Sequence, residues 1–170
     1  DKTQLLSFVL AARLRRPWAI IAGILVATLA NHALAGWVGT LIAEFSSPET
    51  MRWVTGIVFI AFGLWTLKPD ELDDDDAPKN TSAGAFVTTT IAFFIAEMGD
   101  KTQFATIALA AKYDALVWVG ASTTLGMLAA NVPAVLIGEK LAHRLPLKQI
   151  RWAAAAMFAA TGVLTLAGIA

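Results

Sequence analysis

Long uncharged runs divide this chain. Trp18 to Ala43 carries no Asp, Glu, Lys or Arg, and neither does Ala115 to Gly138 nor Trp152 to Ala170. Each approaches the roughly 20 apolar residues with which a helix crosses the hydrocarbon core of a bilayer. Trp53 to Leu67 is a shorter run between Arg52 and Lys68, with Trp53 and Trp65 placed to anchor its ends at the interfaces. In Thr81 to Ala111 the only charged residues are Glu97, Asp100 and Lys101, and a stub, Asp1 to Ala12, completes the set. The pattern predicts an all-α polytopic membrane protein of six transmembrane helices, the first truncated at its N-terminus. Trp18, Trp53, Trp118 and Trp152 fall near the predicted helix starts, where an aromatic belt belongs.

Composition agrees. The 170 residues are 57% hydrophobic and 15% charged, whereas soluble domains carry about 25% charged residues. A formal net charge of zero leaves no bulk field for nucleic acid. The absence of cysteine removes disulfides, thiolate metal sites and thiol nucleophiles. With neither an initial methionine nor the charged n-region of a signal peptide, Asp1 reads as a processed or artificial start. The front half of helix 1 is then expected to be absent from the chain.

Positive charge sets the expected orientation. Loops after predicted helices 1, 3 and 5 hold Arg13, Arg15, Arg16, Lys68, Lys79, Lys140, Arg144, Lys148 and Arg151, while those after helices 2 and 4 hold Arg52 and Lys112. The positive-inside bias places the first set in the cytoplasm. The chain also repeats itself at an offset of 99 or 100. Asp1-Lys2-Thr3-Gln4 recurs as Asp100-Lys101-Thr102-Gln103, Leu10-Ala11-Ala12 as Leu109-Ala110-Ala111, and Asn31 as Asn131. Arg52-Trp53 recurs as Arg151-Trp152, and Phe59, Gly63 and Thr66 as Phe158, Gly162 and Thr165. Three helices per half is an odd number, so the second half enters the membrane from the opposite side, giving an inverted-topology repeat with a site expected near the midplane. The expected domains are a first three-helix repeat over 1–67, an acidic cytoplasmic linker over 68–82, and a second repeat over 83–170. The linker, with Asp73 to Asp76 between prolines, reads as a solvated hinge or a cation-gathering segment.

The repeated motif carries the chemistry. One ionised group near a bilayer centre costs about 2.5–3.5 kcal/mol on insertion scales, so three together call for a function. On a continuous helix Glu97, Asp100, Lys101 and Phe104 share a face, with Thr90 a heptad earlier, Gln103 at its border and Thr102 within the motif. Gly99 then points away and permits close helix packing. Lys101, four residues from Glu97, is placed to neutralise the site when it is empty. The pseudo-two-fold brings Asp1 and Gln4 to the same region, and Asn31 and Asn131 offer amide oxygens from neighbouring spans. An all-oxygen set rich in carboxylate suits Mn²⁺, Ca²⁺ or Mg²⁺ as transported substrate. The same carboxylates can exchange a proton for the cation. The competing reading is an ion-pair cluster that glues helices together. His32 reads as a hydrogen-bonded packing residue or a relay, and Ser122, Thr123 and Thr124 either line a path or bond to their own helix.

Glu97-Met98-Gly99-Asp100-Lys101-Thr102-Gln103, with its second copy at Asp1, resembles the MneA/Gdt family of manganese and calcium transporters. That family carries Glu-x-Gly-Asp-Lys/Arg-Thr/Ser twice, in inverted three-helix halves joined by a variable linker. Its bacterial members resemble Mn²⁺ exporters of the inner membrane, and eukaryotic relatives exchange Ca²⁺ or Mn²⁺ for protons. The resemblance implies Glu97, Asp100 and Asp1 as cation ligands, protons as counter-ion, a lipid bilayer as surroundings, no resident cofactor and no enzymatic activity. A divalent-cation channel, or a small exporter of organic cations or amino acids, is the alternative of similar architecture.

Overall fold

The computed structural model describes residues 2–69, 84–137 and 147–169. Among these residues there are seven α-helices and no strand: α1 (Lys2–Leu14), α2 (Pro17–Glu44), α3 (Pro48–Thr66), α4 (Ala85–Glu97), α5 (Lys101–Tyr113), α6 (Leu116–Ile137) and α7 (Leu147–Leu166). Asp1 and most of the acidic segment expected as a linker lie outside the described residues. α2 and α6 are long and apolar enough to cross a membrane, and α4 is apolar but has only 13 residues.

The chain runs into and out of these helices for local reasons. Ser47 caps α3 by accepting the Thr50 N–H at 3.1 Å, and Pro48 occupies the first helical position, where its missing N–H costs nothing. The turn between α1 and α2 holds Arg15 at φ 51°, and the turn between α5 and α6 holds Asp114, 99 residues on, at φ 45°. These left-handed residues close the two helices in the same way. Helix ends match as well, since α1 stops at Leu14 and α5 at Tyr113, and α3 at Thr66 and α7 at Leu166.

The fourth apolar run is where the structure departs from the single continuous helix read from sequence. It is two helices, α4 and α5, with Met98, Gly99 and Asp100 between them. Met98 turns extended at φ −63°, ψ 121°, and Gly99 follows at φ 75°. That left-handed backbone is open to glycine and strained for most side chains. A Cβ added at Gly99 would meet nothing within 4 Å, so its conformation and not close packing accounts for a glycine here.

The described residues form two compact units, each drawing helices from both halves of the chain. The first takes α1, the front of α2 up to His32, α4 and α6 from Ala121 onward. Its core is built from Leu6, Leu10, Ile20, Ile24, Phe93 and Val135. Gly23 lets α2 approach α4, because a Cβ there would fall 2.8 Å from the Thr89 Cβ.

The second unit takes the back of α2, α3, α5, the start of α6 and α7. α3 and α7 cross on small residues. A Cβ at Gly162 would come 2.7 Å from the Gly56 carbonyl, and one at Gly63 would come 3.0 Å from the Ala155 carbonyl. Between these crossings Phe59 packs on Phe158, and Phe62 on Phe104. Both units turn large apolar side chains outward, Leu29 and Ile95 in the first and Val117 and Met157 in the second. Such a surface suits lipid.

Candidate functional site

The break between α4 and α5 leaves the first unit with a buried carboxylate at a helix end. Glu97, the last residue of α4, is 2% exposed. Its two oxygens are engaged separately. The Thr28 hydroxyl donates to Oε1 at 2.6 Å, and the Asn31 amide Nδ2 donates to Oε2 at 3.2 Å. Thr28 and Asn31 stand one turn apart on α2, so they present neighbouring donors to one face. The second N–H of Asn31 has the Phe94 carbonyl as acceptor at 3.1 Å, so Asn31 spans the final turn of α4. Its own oxygen, Oδ1, is buried without a hydrogen-bond partner among the described residues.

Backbone electrostatics add to this. The last carbonyls of α4 point toward the break and make that helix end partially negative. Asp100, half-buried, directly precedes α5, and its N–H donates to the Glu97 carbonyl at 3.1 Å. A carboxylate in front of a helix meets the positive end of that helix's dipole. The arrangement concentrates oxygen atoms on Glu97 and the end of α4, next to backbone that no longer spends its groups on a continuous helix.

A second polar cluster in the same unit involves α1 and α6. Asn131, fully buried, accepts the Ser7 hydroxyl at 2.9 Å on Oδ1 and donates from Nδ2 to the Met127 carbonyl at 2.9 Å. Gln4 donates to the Ala130 carbonyl at 3.2 Å, three residues before Pro133. His32, also buried, has Nδ1 3.3 Å from the Thr124 hydroxyl, a side-chain contact between α2 and α6.

The other residues singled out in the sequence are placed as follows. Lys101 opens α5 in the second unit, with Nζ 5.5 Å from the centre of the Trp65 ring. The continuous-helix geometry that set it one turn from Glu97 does not hold across the break. Thr102 gives its carbonyl to the Thr106 hydroxyl at 2.8 Å, and Gln103 is half-buried in the first turn of α5. Thr90 bonds back to the Phe86 carbonyl at 2.8 Å on its own helix. Asp1 lies outside the described residues. Among the described residues, no three of His, Asp and Glu gather closely enough to hold a metal by themselves.

Of the expected set, then, Glu97 and Asn31 are brought together. Thr28 and Ser7 are partners that the sequence reading passed over, while Thr124 and Trp65, named there in other roles, face His32 and Lys101. Thr28 left a signal, since Thr28, Asn31 and His32 are polar at helical spacing in an otherwise apolar span.

Comparison with known proteins agrees with this chemistry. The model of the GDT1 family, described as "Divalent cation/proton antiporter GDT1", matches residues 1–74 and 85–169. A Vibrio cholerae protein whose name proposes manganese export is 53% identical over 159 residues, covering 93% of this chain and 78% of that one. A GDT1-like protein of Synechocystis is 31% identical over 88% of the chain and 81% of its own length. The chloroplast protein PAM71 of Arabidopsis thaliana is 36% identical over 61% of the chain and 28% of its own. No solved structure gives a significant match. A family match across both flanks of the acidic segment makes this chain a member of the GDT1 family of divalent cation/proton antiporters.

Proposed function

We propose that this protein exports Mn²⁺ from the cytoplasm, with Ca²⁺ as a second substrate, in exchange for entering protons. Its setting is a bacterial inner membrane, with the 68–82 segment on the cytoplasmic side. The observation that carries the reading is the buried carboxylate of Glu97, held by Thr28 and Asn31 at the end of a broken helix. Discontinuous helices supply transporters with backbone carbonyls and carboxylates at a site inside the membrane. The relative named for manganese export favours Mn²⁺ as substrate.

In this proposal Glu97 and Asp100 are the principal cation ligands, with Asp1, Gln4 and Gln103 contributing from both copies of the motif. A proton and a cation compete for the same carboxylate oxygens, so either one excludes the other. That exclusivity is the coupling that antiport requires. Thr28 can rotate its hydroxyl to turn a donor toward Glu97 into an acceptor toward a cation. No step calls for bond-making chemistry, and the reading is of a carrier and not an enzyme.

Six spans in two inverted halves remain the arrangement we favour, with α4 and α5 together forming one span and domains bounded at 67 and 83. The matched ends of α1 and α5, and of α3 and α7, support it, as do the paired left-handed residues Arg15 and Asp114.

The test is Mn²⁺ flux in proteoliposomes with and without an imposed pH gradient. Export accelerated by an opposing proton gradient and lost in Glu97→Gln and Asp100→Asn is the expected result. Unchanged flux in those variants removes the site assignment. Flux indifferent to the gradient, with channel-like conductance, favours a divalent-cation channel.

A further inference from the structure

The structure assigns Asn31 a direct place in the cation site, through its amide oxygen, in addition to its hydrogen bond to Glu97. This inference rests on the reading of Glu97 as a cation ligand.

Both N–H groups of the Asn31 amide are committed, one to Glu97 Oε2 and one to the Phe94 carbonyl. The Phe94 carbonyl is a pure acceptor, as is Glu97 when ionised, so the amide faces them with its nitrogen, and the position of the oxygen follows. That oxygen is buried and has no hydrogen-bond partner among the described residues, on a residue with 0% exposure. Buried acceptors are nearly always satisfied, and one left over beside a carboxylate calls for an explanation.

Asn131 supplies the comparison. It occupies the matching position of the repeat and is equally buried, yet its oxygen accepts the Ser7 hydroxyl. The fold can therefore satisfy an asparagine oxygen at such a position, and at Asn31 it does not. Covalent geometry keeps the oxygen of an amide about 2.3 Å from its nitrogen, so Oδ1 lies no more than about 5.5 Å from Glu97 Oε2. A hard divalent cation bound at 2.0–2.6 Å to each of two oxygens spans about 4–5 Å, so small side-chain adjustments bring both to one ion. The amide adds a ligand without adding charge, and a carboxylate plus neutral oxygens is a set that Mn²⁺ and Ca²⁺ both accept.

Binding of Mn²⁺ to the purified protein in detergent, followed by the loss of the free-ion signal in electron paramagnetic resonance, tests this. Asn31→Leu removes the oxygen and both donors, and its dissociation constant should rise by more than about fivefold. Asn31→Asp keeps an oxygen but loses the donors, and should stay within about fivefold of the parent. Leucine within that limit overturns the inference. So does an aspartate variant as weak as the leucine one, because Asn31 would then act only by holding Glu97. If Asn31→Leu does not fold, Asn31→Asp decides alone by the same limit. Glu97→Gln separates the two readings. If it binds Mn²⁺ like the parent, the cation site itself is wrong; if it loses binding while Asn31→Leu does not, only the role of Asn31 fails.

Discussion

The rings of Phe59 and Phe158 meet with centroids 5.8 Å apart, and each is the other's counterpart in the internal repeat. Around them partners are exchanged. Gly56 lies against Gly162 and Gly63 against Ala155, while the repeat pairs Gly56 with Ala155 and Gly63 with Gly162. Reciprocal contacts of this kind define an isologous interface, the pattern a two-fold relation produces. It supports the inverted-repeat reading from inside a single helix pair.

Large side chains at that crossing should be damaging. Gly56→Leu or Gly162→Leu places carbon atoms where a carbonyl already sits, and each should lower stability by about 1–3 kcal/mol. Gly126, on α6, has open space around an added Cβ, so Gly126→Ala should be neutral or gain up to about 1 kcal/mol from helix propensity. Thermal unfolding in detergent measures both, and equal effects at the two kinds of site would contradict the packing argument.

Thr28→Val keeps the shape of the side chain and deletes the 2.6 Å bond to Glu97. Hydrogen bonds to charged groups contribute about 1.5–3 kcal/mol. The variant should fold, bind Mn²⁺ several-fold more weakly and show a lower unfolding temperature. Titration with Mn²⁺ and a melting curve on the same preparation check the two effects together.

The helix break makes its own prediction. Gly99→Ala forces a methyl-bearing residue to φ 75°, which costs about 1–2 kcal/mol. Gly99→Asn should cost less, because asparagine visits the left-handed region more readily. Since nothing crowds the position, the order Gly, Asn, Ala in transport rate would reflect backbone conformation alone.

Trp65→Leu should remove the ring facing Lys101 while preserving an apolar side chain. The buried ammonium group then loses a cation–π partner worth about 1–2 kcal/mol. A fall in unfolding temperature in Trp65→Leu, with Trp65→Phe intermediate, is the expected result.

The helical class and most helix boundaries were legible in the sequence because long uncharged runs have few other physical outcomes. Glu97 and Asn31 were legible as costly polar groups in apolar surroundings. The break after Glu97 was harder. Uniform apolar periodicity on both sides argued for one helix, although a glycine that can end a helix, followed by an aspartate that can begin one, was written at Gly99 and Asp100. Thr28 was missed because a threonine in an apolar helix usually bonds back to its own backbone. Only the approach of α4 shows that its hydroxyl has a better acceptor.

Equal lengths on the two sides of the break have an electrical consequence. α4 and α5 contain 13 residues each, about 20 Å of helix apiece. In the proposed spanning arrangement an ion held at Glu97 stands midway through the membrane voltage. A divalent charge moved through half of a 100 mV potential changes by about 2.3 kcal/mol. Loading and release would then share the field evenly, and the carrier would work as a voltage divider in which neither step alone bears the whole electrical load.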